Sequence, residues 1–129
     1  MTSGEVPEDR RYTSDHEWAQ LVDDGIRIGI TDYAQDALGD VVFVKLPEVG
    51  TDVSDNDAFS EVESTKSVSE VYAPVAGAVV AVNERLKDDP GQLNSDPYDG
   101  GWICVLRPTD ESTYGSLLDA DAYRTLISE

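Results

Sequence analysis

The chain has 129 residues, enough for one domain, with 27 acids against 9 bases and a formal net charge of −18. Such a surface repels phosphate backbones and anionic lipid, which argues against direct nucleic-acid or membrane binding. Hydrophobic residues make up 40% of the chain, and ten glycines with six prolines cut its apolar runs into pieces of strand length.

Met1 to Arg10 lacks the apolar core of a signal peptide and reads as a flexible tail over 1–10. A single domain over 11–129 follows, and no apolar run approaches the length of a membrane span, so cytoplasmic residence is expected. Trp18, Leu21 and Val22 stand before Asp24-Gly25, and Ile26, Ile28 and Ile30 alternate after it, which predicts a hairpin over 17–31. Thr31-Asp32 can cap a short helix through Leu38, with Gly39 as its stop. Strands are predicted over 40–46, 58–63, 68–72, 78–82 and 102–106. Between the last two, the Asp-, Pro-, Gly- and Asn-rich stretch 87–101 reads as loop. Helical spacing returns over 112–127, where Asp119 can cap the second part.

Many short strands with a helix in the N-terminal third and another at the C-terminus predict a mainly β domain, a small barrel or sandwich. A weak internal repeat points the same way. Shifted by 27 residues, Val44, Pro47, Gly50 and Val53 fall on Val71, Pro74, Gly77 and Val80. Two similar halves would then flank a centre near 62–68, which contains Lys66.

A surface lysine is ordinarily only a solvated charge. Lys66 departs from that expectation in three ways. Only three lysines occur in the chain, Lys45, Lys66 and Lys87, and this one sits among Glu61, Glu63 and Glu70. Ser64, Thr65 and Ser67 flank it between two strand patterns, as at a hairpin tip. Gly50 lies sixteen residues before it and Gly77 eleven after, as turns about a central hairpin would. A lysine on a protruding turn can be reached by a modifying enzyme, and acylation would convert it into a group carrier.

The segment Glu63-Ser64-Thr65-Lys66-Ser67-Val68-Ser69-Glu70-Val71-Tyr72-Ala73-Pro74-Val75-Ala76-Gly77 resembles the lipoyl-lysine segment of glycine cleavage H proteins. So do Tyr12-Thr13 with His16-Glu17-Trp18, Gly29-Ile30-Thr31-Asp32-Tyr33-Ala34-Gln35, and Leu38-Gly39-Asp40-Val41-Val42-Phe43-Val44. Leu46-Pro47-Glu48-Val49-Gly50, Asn94-Ser95-Asp96-Pro97-Tyr98, Gly101-Trp102 and Leu117-Leu118 with Tyr123 continue the series. The resemblance runs from about Tyr12 to Tyr123.

It implies a barrel-sandwich hybrid with lipoate in amide linkage to Lys66, on an arm reaching roughly 14 Å from the backbone. It implies a carrier rather than an enzyme, serving three partners. These are a glycine decarboxylase (P protein), a tetrahydrofolate-dependent aminomethyltransferase (T protein) and a dihydrolipoamide dehydrogenase (L protein). A lipoate-attachment enzyme is implied as well, and a monomer is expected. For Glu17 it implies a place near the amine of the loaded arm, where a carboxylate would pair with an ammonium. The plainer reading of Glu17 is a surface carboxylate at a strand edge. Ala37 departs from relatives that carry a polar ring there. Within the same class, a biotinyl domain would have methionine on both sides of the lysine, whereas Thr65 and Ser67 stand here. A relay protein passing lipoyl groups to other acceptors is a further alternative.

His16, the only histidine, is expected to pack or hydrogen-bond rather than serve as a metal ligand or base. Cys104, the only cysteine, is expected to be a buried apolar residue; no metal site is expected from this pair. Seventeen of the acids are aspartate, and lysine is scarce. That balance suggests a halophilic source, because salt would screen the self-repulsion, with an ordinary acidic protein as the alternative.

Overall fold

A computed structural model describes residues 6–128. Ile26, Ile28 and Ile30 alternate along β3 (Gly25–Ile30) and all are buried, so the period of two in the sequence becomes one inward face. β3 pairs antiparallel with β2 (Glu17–Val22). The two-residue connection between them is Asp23-Asp24 rather than Asp24-Gly25, since Gly25 is already in the ladder opposite Val22. Gly29 faces Trp18 across the same pair. A Cβ there would stand 2.7 Å from the indole, so glycine leaves room for a fully buried Trp18, whose Nε1 donates to the Pro97 carbonyl at 2.9 Å.

With β1 (Arg11–Tyr12), β5 (Asp52–Val53), β8 (Gly77–Val82) and β9 (Cys104–Pro108), these strands make a six-stranded antiparallel sheet in the order β1-β2-β3-β9-β8-β5. A second, three-stranded sheet runs β4 (Val41–Lys45), β6 (Ala58–Ser64), β7 (Val68–Tyr72). Val44 and Val62 face inward from the small sheet and join Ala19, Ile28, Val79 and Leu106 of the large one in a single core. This is the barrel-sandwich arrangement expected from the sequence.

The 27-residue repeat has a structural counterpart. Asp52 pairs with Ala78, and the Val79 N–H donates to the Thr51 carbonyl at 2.8 Å. Adding 27 to Asp52 and Thr51 gives Val79 and Ala78, so the shift exchanges one pair for the other. The segments that the shift relates therefore lie side by side in antiparallel pairing.

Helix α1 (Asp32–Leu38) is capped by the Thr31 hydroxyl, which accepts from the Ala34 N–H at 3.2 Å. Three expectations need correction. The stretch 87–101 is not all loop: α2 (Gln92–Ser95) lies within it, because Leu93 is drawn fully into the core. The strand expected over 102–106 begins at Cys104 and runs to Pro108. The helix expected over 112–127 is broken. Glu111–Ser116 is 3-10 helix, Leu118 exchanges backbone hydrogen bonds with Tyr12, and α3 (Ala120–Ile127) starts after the Asp119 cap.

α3 closes a second cluster in which Tyr12 and Tyr123 stack at 4.7 Å. Of the tail expected over 1–10, residues 1–5 lie outside the described residues. Val6 is buried in this second cluster, and Arg10 lies over the Trp18 ring at 4.7 Å.

Candidate functional site

Lys66 stands at the tip of the β6–β7 hairpin, and one side chain organises that tip. Ser64 Oγ accepts from the backbone N–H of Ser67 at 3.1 Å and of Lys66 at 3.3 Å. The Ser64 N–H donates to the Ser67 carbonyl at 2.8 Å, and the Thr65 N–H to the Asp40 carbonyl at 3.0 Å. The small polar residues read as a turn signal thus pin the turn to the chain before β4. The lysine side chain is exposed, and no ion pair joins it among the described residues.

Its stem passes over Gly39, where a Cβ would stand 3.3 Å from Lys66 Cε. Gly39 also ends α1 with φ +85, a conformation L side chains rarely adopt. The backbone conformation is what favours glycine here, since the mobile lysine stem could shift from a Cβ. Asn94 braces the same corner: its Nδ2 donates to the Gly39 carbonyl at 2.9 Å, and its Oδ1 accepts from the Val41 N–H at 2.8 Å.

Beside Gly39, a cleft of about 190 Å³ opens between α1 and the β6–β7 ladder. Ile30, Ala34, Leu38, Val62 and Val71 give it an apolar wall, and Asp15, Glu17 and Glu70 bring carboxylates to it. Lys66 is not part of the lining; its stem lies against the residue that follows Leu38. Ala37 lines the cleft, so the absence of a polar ring at that position bears on its chemistry.

Glu17 is 2% exposed, which corrects the plainer reading of a surface carboxylate. Its Oε1 accepts from the Thr13 hydroxyl at 2.7 Å and its Oε2 from the Tyr72 N–H at 2.9 Å. Burial pushes its pKa up to about 7, against the opposing pull of those two donors.

His16 also faces the cleft and takes a left-handed backbone, φ 71, in the turn between β1 and β2. Its Nδ1 lies 2.8 Å from the Tyr123 hydroxyl, and its ring lies against Tyr33 at 4.7 Å. Burial lowers its pKa. The hydrogen-bonded, packed role expected for it is the one seen, and among the described residues no group of three or more side chains could hold a metal ion. Cys104 is fully buried, and burial raises its thiol pKa, so it is an inert core residue.

Asp15, Tyr33 and Ser69 are not marked for this site by the sequence, and Glu70 is marked only as an acid near Lys66; their place in the cleft depends on which strands and helix meet there. The block Asn94-Ser95-Asp96-Pro97-Tyr98 was a usable signal, since Asn94 braces the corner under Lys66.

Lys66 thus stands at a pinned hairpin tip beside a part-apolar cleft. The family profile described as Glycine cleavage H-protein matches residues 10–129. The chain belongs to that family. The glycine cleavage system H protein of Mycolicibacterium smegmatis is 57% identical, over 97% of this chain and 98% of that protein. That of Geobacillus kaustophilus is 52% identical, over 96% and 98%. The crystal structure of a glycine cleavage system H protein from Mycobacterium marinum superposes with a TM-score of 0.88 at 45% identity. It covers 96% of this chain and 100% of that one. Among the described residues, no helix is long and apolar enough to cross a membrane.

Proposed function

We propose that the chain is the lipoyl carrier of a glycine cleavage system, with lipoate in amide linkage to Lys66. The observation that carries this reading is one exposed lysine at the tip of a hydrogen-bonded hairpin, in a chain of the H-protein family. Its residues fit the group. The amine is accessible, the Ser64 turn holds the backbone still while the side chain swings, and a part-apolar cleft lies within the arm's reach of roughly 14 Å. When bound, the group supplies a disulfide–dithiol couple that can carry electrons and a one-carbon amine unit.

The chain itself tethers, shelters and recognises. The wall of Ile30, Leu38 and Val71 excludes water from an apolar arm end. Asp15 and Glu70 favour a cation in the cleft, and our reading gives Glu17, in its ionised form, the part of pairing with the arm amine. Tethering turns successive encounters with decarboxylase, aminomethyltransferase and dihydrolipoamide dehydrogenase into reactions at high local concentration. We place this non-catalytic, monomeric carrier in a salt-rich cytoplasm. The support is the acid excess: among the described residues the ion pairs engage only Asp9, Glu84, Glu8 and Asp121.

Lys66→Arg tests the reading, because arginine keeps the charge and cannot form the amide. Mixed with the three partner enzymes and glycine, the variant should fold normally and support no glycine cleavage above the level without carrier. Full activity would overturn the carrier role.

A further inference from the structure

Glu17 sits in a hydrogen-bond arrangement made for an anion. The Tyr72 N–H can only donate, and it donates to Oε2 at 2.9 Å. The Thr13 hydroxyl meets Oε1 at 2.7 Å. Thr13 Oγ1 already accepts from the backbone N–H of Asp15 at 3.2 Å and of Glu17 at 3.3 Å. A hydroxyl oxygen has two acceptor positions and one proton, so with both positions filled its proton is directed at Glu17. Each carboxyl oxygen thus faces a donor, and hydrogen bonds of this kind favour the ionised form.

A buried carboxylate is ordinarily completed by a cation, and none stands here among the described residues. The titratable groups around Glu17 are Asp15 and His16 of the β1–β2 turn, Tyr33 of α1, Glu70 and Tyr72 of β7, and Tyr123 of α3. Tyrosine is ordinarily neutral near pH 7, and burial favours the uncharged form of His16. What remains is two more carboxylates, Asp15 and Glu70, both exposed to solvent. Three acids therefore share a cleft of about 190 Å³ without a counter-charge. Mutual repulsion favours a proton on one of them, and burial selects Glu17, which is 2% exposed. Its raised pKa has the same causes, burial first and the Asp15 charge in smaller part.

On the carrier reading above, we infer that Glu17 exchanges a proton for a cation: it is partly protonated when no positive charge is in the cleft, and it releases that proton to solvent on arrival of the ammonium group of a loaded Lys66 arm. Asp15 and Thr13 are positioning residues for this exchange. The Asp15 charge favours the proton on Glu17, and the Thr13 hydroxyl favours its loss. The donors that await an anion and the cleft that lacks a cation are thus two halves of one device. Its pH dependence follows by linkage. A cation whose binding releases a proton is held more tightly as pH rises through about 7, and the gain ends once Glu17 is ionised without it.

The test is NMR of the Glu17 carboxyl carbon against pH, in the lipoylated full chain at fixed molar potassium chloride. The resonance is assigned by its loss in Glu17→Gln. Three states are compared: arm oxidised, arm reduced, and arm loaded by glycine and the decarboxylase. With the arm oxidised or reduced, the midpoint should lie at about pH 7. Loading should lower it by about one pH unit or more, as an opposite charge at close range does. In the oxidised state, Thr13→Val should raise the midpoint and Asp15→Asn should lower it, a pair of opposite displacements that general loosening of the fold does not produce. A midpoint unmoved by loading, or lowered equally by reduction alone, would overturn the exchange and leave the Lys66 reading intact. So would two variants that move the midpoint in the same direction. A chain that takes no lipoyl group on Lys66 would overturn the exchange and the carrier reading together.

Discussion

Glu17 on β2 and Tyr72 on β7 join the two sheets: the Tyr72 N–H donates to Glu17 Oε2 at 2.9 Å, at the edge of the cleft. A buried carboxyl group at this junction makes the fold sensitive to its proton.

Burial raises the Glu17 pKa from 4.5 to about 7 in the folded chain. A raised carboxyl pKa means the native state holds the proton more tightly than the unfolded state. Its contribution is therefore full below about pH 4.5 and is lost as pH rises to about 7. The change is of the order of 3 kcal/mol. Glu17→Gln, which resembles the protonated form, should gain stability relative to wild type between pH 5 and pH 8. Urea unfolding of both proteins at fixed molar salt measures it; parallel stability curves would contradict the assignment to Glu17.

Much of this geometry was legible in the sequence, and the reasons are local. Alternation of Ile26, Ile28 and Ile30, the Thr31 cap with its Gly39 stop, and the Ser64-Thr65-Lys66-Ser67 tip all depend on neighbours a few residues away. β1 and β5 were missed because two-residue strands leave no period to read; each exists only through its partners, Trp18 and Ala19 for β1, Gly77 and Ala78 for β5. The break at Leu117-Leu118 was hidden for a similar reason. Those leucines fit a helical period, but Leu118 exchanges hydrogen bonds with Tyr12, more than a hundred residues away. Glu17 was named for the site, yet its burial was not foreseeable, since it follows from Tyr72 of the other sheet approaching it.

The Tyr123 hydroxyl lies 2.8 Å from both Thr31 Oγ1 and His16 Nδ1, tying α3 to the α1 cap and to the cleft. Tyr123→Phe keeps the stack on Tyr12 and removes those bonds, leaving the fully buried Thr31 hydroxyl short of a partner. Thermal or urea unfolding should show a loss of about 1–2 kcal/mol. No loss would mean that water replaces the hydroxyl there.

Repulsion among 27 acids, of which ion pairs engage only four among the described residues, should make folding depend on salt. Melting followed by circular dichroism should rise markedly between dilute and molar potassium chloride, as screening shortens the Debye length to about 3 Å. A flat response would remove the case for a salt-rich cytoplasm and leave the carrier reading untouched.

The central claim is a covalent arm on Lys66. Intact mass and peptide mapping of the chain purified from its native cells test it most directly. The account predicts a mass increase of one lipoyl group, located on the peptide containing Lys66 and absent from those containing Lys45 and Lys87. A native chain of unmodified mass, or one carrying the group on either of the other two lysines, would contradict it.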